Sequence, residues 1–293
     1  MSEGKTSTPD TEIPVTIAMS SRLLFKQEQQ DRGPAFNFVK ALKAVNAELR
    51  SHYPESEELF KVILIDDNPS SGILKHKIHE HGLKDLITVL SVTEDQLVSE
   101  LKTNNTHLYL SDKPGLKVQE AVNEGIAAAT MSTPKTDMPV SEDQLHVVFD
   151  GDAVLFSNES ELVFQSDGLQ GYLKNEKQKV KIPMNEGPFK GFLEVLIKLQ
   201  KKLHSKGLCK KCPIRTYLVT SRGAGCDGYR ALNTLHTWGL ELDESVLLGG
   251  GKKGPTLQRI RPHIFFDDQK SHINAALEVG SVACLVPSPK NNK

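Results

Sequence analysis

Short apolar runs alternate with longer amphipathic stretches along most of the chain. The runs are apolar at consecutive positions, which is typical of strands buried on both faces of a parallel sheet. In the first half they are VTIAM, KVILI, LITVL, HLYL and IAAATM, beginning at residues 15, 61, 86, 107 and 126. Stretches between them, such as 35–50, carry apolar residues at helical spacing. The pattern therefore predicts an N-terminal α/β block over residues 13–131.

The same pattern returns after residues 132–143, a segment with two prolines and no periodicity. The later runs are LHVVF, IRTYLVT, SVLL, HIFF and SVACLV, beginning at residues 145, 214, 245, 263 and 281. We interpret 132–143 as a linker and 144–293 as a second α/β block. Residues about 157–187 mix short β-prone runs with glycine, asparagine and charge, which favours an inserted hairpin or small cap within that block.

Composition and charge narrow the class of protein. A chain of 293 residues fits one large or two ordinary domains. Its 36 basic and 37 acidic side chains give a formal charge of −1, so we expect neither a nucleic-acid nor a membrane partner. Four cysteines are too few for a disulfide framework, and no apolar run approaches the roughly 18 residues that span a bilayer. Residues 1–12 are polar, which predicts a disordered tail rather than a signal peptide, and a soluble, cytoplasmic protein.

Polar and charged residues follow the strands of the second block in a set order. The four motifs are Asp150 with Asp152, Thr220 with Ser221, Lys252 with Lys253, and Asp267 with Asp268. Ligands of parallel sheets bind beyond the carboxyl ends of the strands, so we expect these side chains to meet there. The order resembles the four motifs of the haloacid dehalogenase superfamily of phosphatases and phosphotransferases. The resemblance implies a dehalogenase-like parallel-sheet core with a small cap insertion, preceded by the N-terminal α/β block.

These residue types suit the hydrolysis of a phosphate ester. A carboxylate such as Asp150 can attack phosphorus and form an aspartyl-phosphate, which splits hydrolysis into two easier steps. Asp152 can protonate the leaving oxygen and later deprotonate water. Thr220 offers a hydroxyl group to the phosphoryl oxygens, and Lys253 supplies a fixed positive charge.

The acids also predict a metal ion. Clustered carboxylates repel one another and a dianionic phosphate, and Mg²⁺ held by carboxylates and the phosphate offsets that repulsion. The metal-binding set that we predict is Asp150, Asp152, Asp267 and Asp268.

Longer strings resemble the cytosolic 5′-nucleotidase I family. They are IAMSSRLLF, IPMNEGPFKGFLEVLIKLQKKL, TLHTWGLELDE and KGPTLQRIRPHIFFDDQ. The resemblance implies hydrolysis of nucleoside 5′-monophosphates, AMP foremost, to nucleoside and phosphate with Mg²⁺. It also implies that Asp150 is the nucleophile, Asp152 the acid and base, Thr220 the phosphate-binding hydroxyl and Lys253 the lysine of the KGP motif. A nucleotide effector and a homo-oligomer remain open.

Further residues are candidates for contact with substrate. The predicted substrate-binding set is Thr220, Ser221, Arg222, Lys253, Phe156, Ser21 and Arg22. Phe156 follows the nucleophile strand and suits stacking on a base, but core packing is an equal alternative. Ser21 and Arg22 follow the first strand, where a helix N-cap is the alternative to a phosphate or effector contact.

Several alternatives remain open. The chain suits a phosphatase of another small phosphomonoester, such as a sugar phosphate, or a non-catalytic nucleotide-binding regulator. A regulator needs neither the nucleophile nor its acid, so the presence of both aspartates argues against it. Asp66 and Asp67 resemble the last motif, but no DxD strand precedes them, which favours a turn or capping role. Cys209 and Cys212 lack the second cysteine pair or nearby histidine of a zinc site.

Overall fold

A single ten-stranded sheet organises the chain. The structure is a computed structural model that describes residues 12–26, 32–66 and 72–288. The predicted tail, apart from Glu12, and Asp67 lie outside the described residues. The strands are β1 (Val15–Ser20), β2 (Phe60–Ile65), β3 (Ile87–Leu90), β4 (Thr106–Ser111), β5 (Ala127–Ser132), β6 (Leu145–Phe149), β7 (Ile214–Thr220), β8 (Glu244–Leu247), β9 (Ile264–Asp267) and β10 (Ala283–Leu285).

Helices connect these strands. They are α1 (Ser21–Leu24), α2 (Phe36–His52), α3 (Gly72–Glu80), α4 (Leu97–Thr103), α5 (Leu116–Asn123), α6 (Glu159–Gln178), α7 (Lys190–His204), α8 (Cys226–Thr237), α9 (Gly254–Ile260) and α10 (Lys270–Glu278). The α/β fold with a mostly parallel sheet is confirmed. Among the described residues, no helix combines the length and the apolar character needed to cross a bilayer.

The strand order is β3-β2-β1-β4-β5-β10-β9-β6-β7-β8. Every neighbouring pair is parallel except β5 and β10, which pair antiparallel with Ser132 opposite Ala283. Strands β1–β5 come from the first predicted block and β6–β10 from the second. The two sets join edge to edge into one sheet, and the domain boundaries themselves stay a prediction.

The antiparallel junction makes the two sets of strands run in opposite directions. Their register nevertheless places their carboxyl ends in one row across the sheet, since Ser111 is level with Thr130, Thr130 with Leu285, and Leu285 with Asp267. Four strands lie between β1 and β6, which corresponds to about 24 Å at roughly 4.8 Å per strand spacing. Ser21 and Arg22, which follow β1, are therefore not brought together with Asp150, which follows β6.

The apolar runs become strands because both faces of the sheet are covered. In β6, Val147, Val148 and Phe149 are all fully buried, and the Phe149 ring stacks on Phe266 of β9 with centroids 5.6 Å apart. Burying a side chain of this size stabilises the fold by roughly 1.5–3 kcal/mol. The strand core therefore holds the loops at its carboxyl end in place.

The predicted cap is a helical hairpin rather than a pair of strands. Gly168 interrupts α6 with φ 66° and ψ −169°, a conformation that glycine adopts without a Cβ penalty. The Ser160 hydroxyl donates to Glu176 at 2.8 Å, although residues sixteen apart in a straight helix are about 24 Å apart. Segments 159–167 and 169–178 therefore run back along each other. The β-prone runs became helical because β-propensity is weak compared with packing.

Candidate active site

Three neighbouring strands carry polar groups to one edge of the sheet. Asp150 follows β6, Thr220 ends β7 and Asp267 ends β9, and β6 pairs in parallel with both of the others. Their exposed fractions are 4%, 1% and 0%. Parallel pairing brings the three strand ends together, as the order of the motifs predicts.

Lys253 joins two of these strand ends. Its Nζ atom lies 2.6 Å from Asp150 Oδ1 and 2.7 Å from Asp267 Oδ2. The preceding glycines turn the chain with φ of 56° at Gly249 and 85° at Gly250. This glycine loop bonds back to the chain after β7, because Gly250 N–H donates to the Ser221 carbonyl at 2.9 Å. The loop that contains these glycines therefore places Lys253 in contact with Asp150 and Asp267.

The electrostatics of the site follow from its burial. Burial raises the pKa of Asp150 well above its ordinary value, and the positive charge of Lys253 opposes that shift. Burial acts to raise the pKa of Asp267 as well, but hydrogen bonds from His272 and Lys253 outweigh it and the net shift is downward. Burial and the charge of Asp267 raise the pKa of Asp268 to about 7. Three carboxyl groups thus face one buried ammonium group, and a cation would offset the excess negative charge.

A possible set of metal ligands lies at the same place. Ligand atoms of Asp150, Asp267 and His272 all lie within 4.8 Å of one another. The His272 Nδ1 atom is 3.1 Å from both oxygens of Asp267. Carboxylate oxygens are the donors that Mg²⁺ prefers, so the two aspartates fit this ion. The group does not include Asp152 or Asp268, which the sequence predicted as ligands.

Gly151 allows the nucleophile loop to lie against β7. A Cβ atom on Gly151 would lie 3.3 Å from Thr220 Oγ1 and 3.2 Å from the ring of Phe156. Ala153, two residues later, has the left-handed φ of 58° that reverses the chain. The loop therefore packs the Thr220 hydroxyl group against the residue that follows Asp150.

Comparisons with known proteins identify the family. A family model described as 5′-nucleotidase matches residues 24–293. The chain belongs to the 5′-nucleotidase family. The human protein "Cytosolic 5′-nucleotidase 1B" is 42% identical over 302 residues, covering 94% of this chain and 49% of that protein. The chain thus spans about half the length of this curated relative.

One solved structure shows a weak similarity to this member of the 5′-nucleotidase family. Its title is "Structure of Pnkp1/Rnl/Hen1 complex", and the match covers 97% of this chain and 100% of that chain at 12% identity and a TM-score of 0.34. A likeness at this level establishes neither fold nor function. The resemblance to 5′-nucleotidases that the sequence carries is confirmed by the family match and by the human relative.

In this member of the 5′-nucleotidase family, the predicted substrate-binding residues do not all lie close together. Phe156 is fully buried and packs on Trp238 with ring centroids 5.7 Å apart, which favours the core-packing alternative. Ser221 is exposed beside Thr220. Ser21 and Arg22 follow β1, which is four strands away from β6, and the Ser21 hydroxyl donates to Asp66 Oδ1 at 3.1 Å, so their predicted contact with phosphate or effector stays a prediction.

His272 is the residue of this site that the sequence did not reveal. It lies in the first turn of α10, five residues after Asp267 and outside every recognised motif. Only the packing of α10 against the end of β9 brings its ring to the carboxylates. A polar residue in the helix that follows a motif is the signal that could have pointed to it.

Proposed function

We propose that this chain is a cytosolic, Mg²⁺-dependent 5′-nucleotidase that hydrolyses nucleoside 5′-monophosphates, AMP and related ribo- and deoxyribonucleotides, to nucleoside and phosphate. The contact of Lys253 with both Asp150 and Asp267 carries the proposal, because it assembles a nucleophile and its charge partners in a chain of this family. The name of the human relative supports the substrate class and the location.

The proposed reaction has two steps. An Asp150 oxygen forms a bond to phosphorus, the bond to the 5′-oxygen breaks, and that oxygen takes its proton from Asp152. Water then attacks the phosphorus of the aspartyl-phosphate and gives a proton to Asp152, and the Asp150 carboxylate leaves. Lys253 and the Thr220 hydroxyl stabilise the negative oxygens of the transferred group.

Asp150 and Asp267 are the residues that would hold Mg²⁺. When bound, the ion supplies positive charge to the phosphoryl oxygens and to the carboxylates. Burial raises the pKa of Asp150 well above its ordinary value despite the charge of Lys253, so a bound cation would favour the ionised, nucleophilic form of this carboxyl group. About 210 Å³ of open space beside Asp268 and Lys270 supports access for a substrate to this edge of the sheet.

A phosphate-release assay tests the proposal. We expect release from AMP, IMP, CMP and deoxynucleoside monophosphates with Mg²⁺, little release from sugar phosphates, and no release after chelation with EDTA until Mg²⁺ is restored. Faster release from a sugar phosphate would favour the other small-phosphomonoester phosphatase. Binding of AMP without release by the purified chain would favour the non-catalytic regulator. Full activity after exhaustive chelation would contradict the assigned metal requirement.

A further inference from the structure

The side chain of Arg222 is 1% exposed, and the protein uses all of its hydrogen-bond donors. A guanidinium group has five N–H bonds. Nε donates to Asp152 Oδ2 at 2.8 Å, and Nη2 donates to Asp152 Oδ1 at 2.7 Å and to Ser160 Oγ at 2.9 Å. Nη1 donates to Glu176 Oε2 at 2.7 Å and to the Asp227 carbonyl at 2.9 Å. Arg222 therefore has no N–H bond left for a substrate phosphate, which argues against its predicted role in substrate binding.

The carboxylate and hydroxyl partners of Arg222 belong to two different parts of the fold. Asp152 lies in the loop after β6, whereas Ser160 and Glu176 lie in the two segments of the cap hairpin α6. Glu176 is fully buried and accepts a second guanidinium bond from Arg230 at 3.0 Å. Arg222 thus ties the loop that carries Asp152 to both segments of the cap.

The Nε and Nη2 atoms of Arg222 form a fork that donates to both oxygens of Asp152, and this fork fixes the plane of the Asp152 carboxyl group. Two parallel N–H bonds to one carboxylate define its orientation as well as its position, which one point charge does not do. The Asp152 side chain is 23% exposed, so the surrounding protein does not enclose it completely. Removing a partner from a buried charge is costly, so the cap and the loop keep their relative position while the fork is intact.

We propose that Arg222 is a positioning residue, which orients Asp152 for proton transfer to the leaving oxygen and is itself held by Ser160 and Glu176 of the cap. The proposal rests on the proposed function, in which Asp152 carries this proton. It predicts that losing the two bonds to Asp152 slows formation of the aspartyl-phosphate from substrates whose leaving oxygen needs a proton and spares this step for substrates whose leaving oxygen does not.

The test compares AMP with p-nitrophenyl phosphate, whose leaving group departs without a proton. The second step is the same for both substrates and also uses Asp152, so the test follows the first step alone, as the rate at which the leaving group appears in a single turnover. General acids contribute about 10²–10⁴-fold to such rates, so we expect Arg222→Lys to lower the first-step rate for AMP by about 10- to 100-fold. We expect the first-step rate for p-nitrophenyl phosphate to fall less than about threefold and KM for AMP to change little, since Arg222 does not contact substrate. Ser160→Ala, a milder loss of one contact to Arg222, should change the ratio of the two first-step rates in the same direction.

Arg230→Lys is the matched control. Arg230 is also 1% exposed and also bonds to Glu176, but its contacts do not include Asp152. Thermal melting should show that both arginine variants lose stability, and only Arg222→Lys should change the ratio of the first-step rates on AMP and p-nitrophenyl phosphate. In the Asp152→Asn background, Arg222→Lys should lower the first-step rate for AMP no further, because the two residues act as one unit.

Three outcomes would overturn the proposal. A raised KM for AMP with an unchanged first-step rate in Arg222→Lys would make Arg222 a substrate ligand. Equal losses of first-step rate on both substrates, or the same change in the ratio of these rates in Arg230→Lys, would leave Arg222 a purely structural role. An inactive wild-type protein is a failure of the proposed function instead, and it is detected before any variant is compared.

Discussion

The Nζ atom of Lys253 lies 2.6 Å from Oδ1 of Asp150, and both residues are almost completely buried. The lysine next to it in sequence, Lys252, is exposed. Burial acts to lower the pKa of Lys253, but its two carboxylate partners outweigh burial and raise it, so its charge is permanent at neutral pH. This asymmetry makes the two lysines a matched pair for mutagenesis.

Lys253→Met should lower kcat by about 10²–10³-fold, as when a fixed donor to the reacting group is removed elsewhere. It should also lower the melting temperature, because two buried carboxyl groups lose their counter-charge. Lys252→Met should change kcat less than about twofold, since exposed charges contribute little. Steady-state kinetics and thermal melting of both variants check this, and similar losses in the two would contradict the assignment of Lys253.

Asp150→Asn should abolish turnover while the protein stays folded and binds nucleotide, since the change removes charge and nucleophilicity but little shape. In a single turnover of the wild type in ¹⁸O-water, label should enter the released phosphate and stay out of the Asp150 carboxylate. Mass spectrometry of both products checks this. Label in the carboxylate, or undiminished activity of Asp150→Asn without deamidation, would reject the mechanism.

His272→Ala should raise the Mg²⁺ concentration needed for half-maximal activity by about 10- to 100-fold, as other losses of metal-site partners do. The physical reason is that His272 contacts both oxygens of Asp267 and belongs to the same group of ligand atoms. Mg²⁺ titrations of activity measure the shift. His236→Ala, at an exposed position on α8, is the control and should leave the titration unchanged.

Protonation of His263 should lower the free energy of unfolding at acidic pH. Burial lowers its pKa to about 4, and its Nδ1 accepts the N–H of His146 at 3.0 Å while its other ring nitrogen lies 3.0 Å from the Ser141 carbonyl. In the unfolded chain the pKa is about 6.5, so between these values the unfolded state binds more protons. The free energy of unfolding should therefore drop as pH falls from about 6.5 to 4, by at most about 1.4 kcal/mol per pH unit from this group.

Urea unfolding at pH 7 and pH 5 checks the slope. His263→Gln should start less stable at pH 7 and lose less stability by pH 5, because glutamine does not gain a proton. The exposed variant His236→Gln should keep the wild-type slope. An unchanged slope in His263→Gln would show that other groups dominate acid unfolding.

Much of the proposed site follows from local sequence. Apolar runs that are followed directly by acids predict buried parallel strands with carboxylates at their ends, and β6 and β9 carry Asp150 and Asp267 in this way. Because β6 and β9 are neighbouring parallel strands, their carboxyl ends lie side by side, independently of the loops that follow them. The position of Lys253 follows from its place between the glycine turn and the proline that opens α9.

Contacts between distant elements could not be predicted in this way. The ring of His272 reaches Asp267, and Arg222 reaches Ser160 and Glu176, only because helices α10 and α6 pack where they do. Side-chain contacts of this kind depend on how a whole helix face meets its neighbours, and one sequence carries no periodic signal for that. The direction of the cap likewise depends on one residue, Gly168, whose reversal turns α6 back on itself.

The sequence by itself determined the strands, their polar ends and the family, because burial demands apolar runs and phosphoryl chemistry demands particular side chains. Only the tertiary structure decided which strand ends lie next to one another. The pairing of Ser132 with Ala283 joins the two sets of strands through β5 and β10, so four strands lie between β1 and β6. Ser21 and Arg22 therefore lie away from Asp150, since the edges by which two blocks join are set by the pairing of their edge strands and by no local pattern.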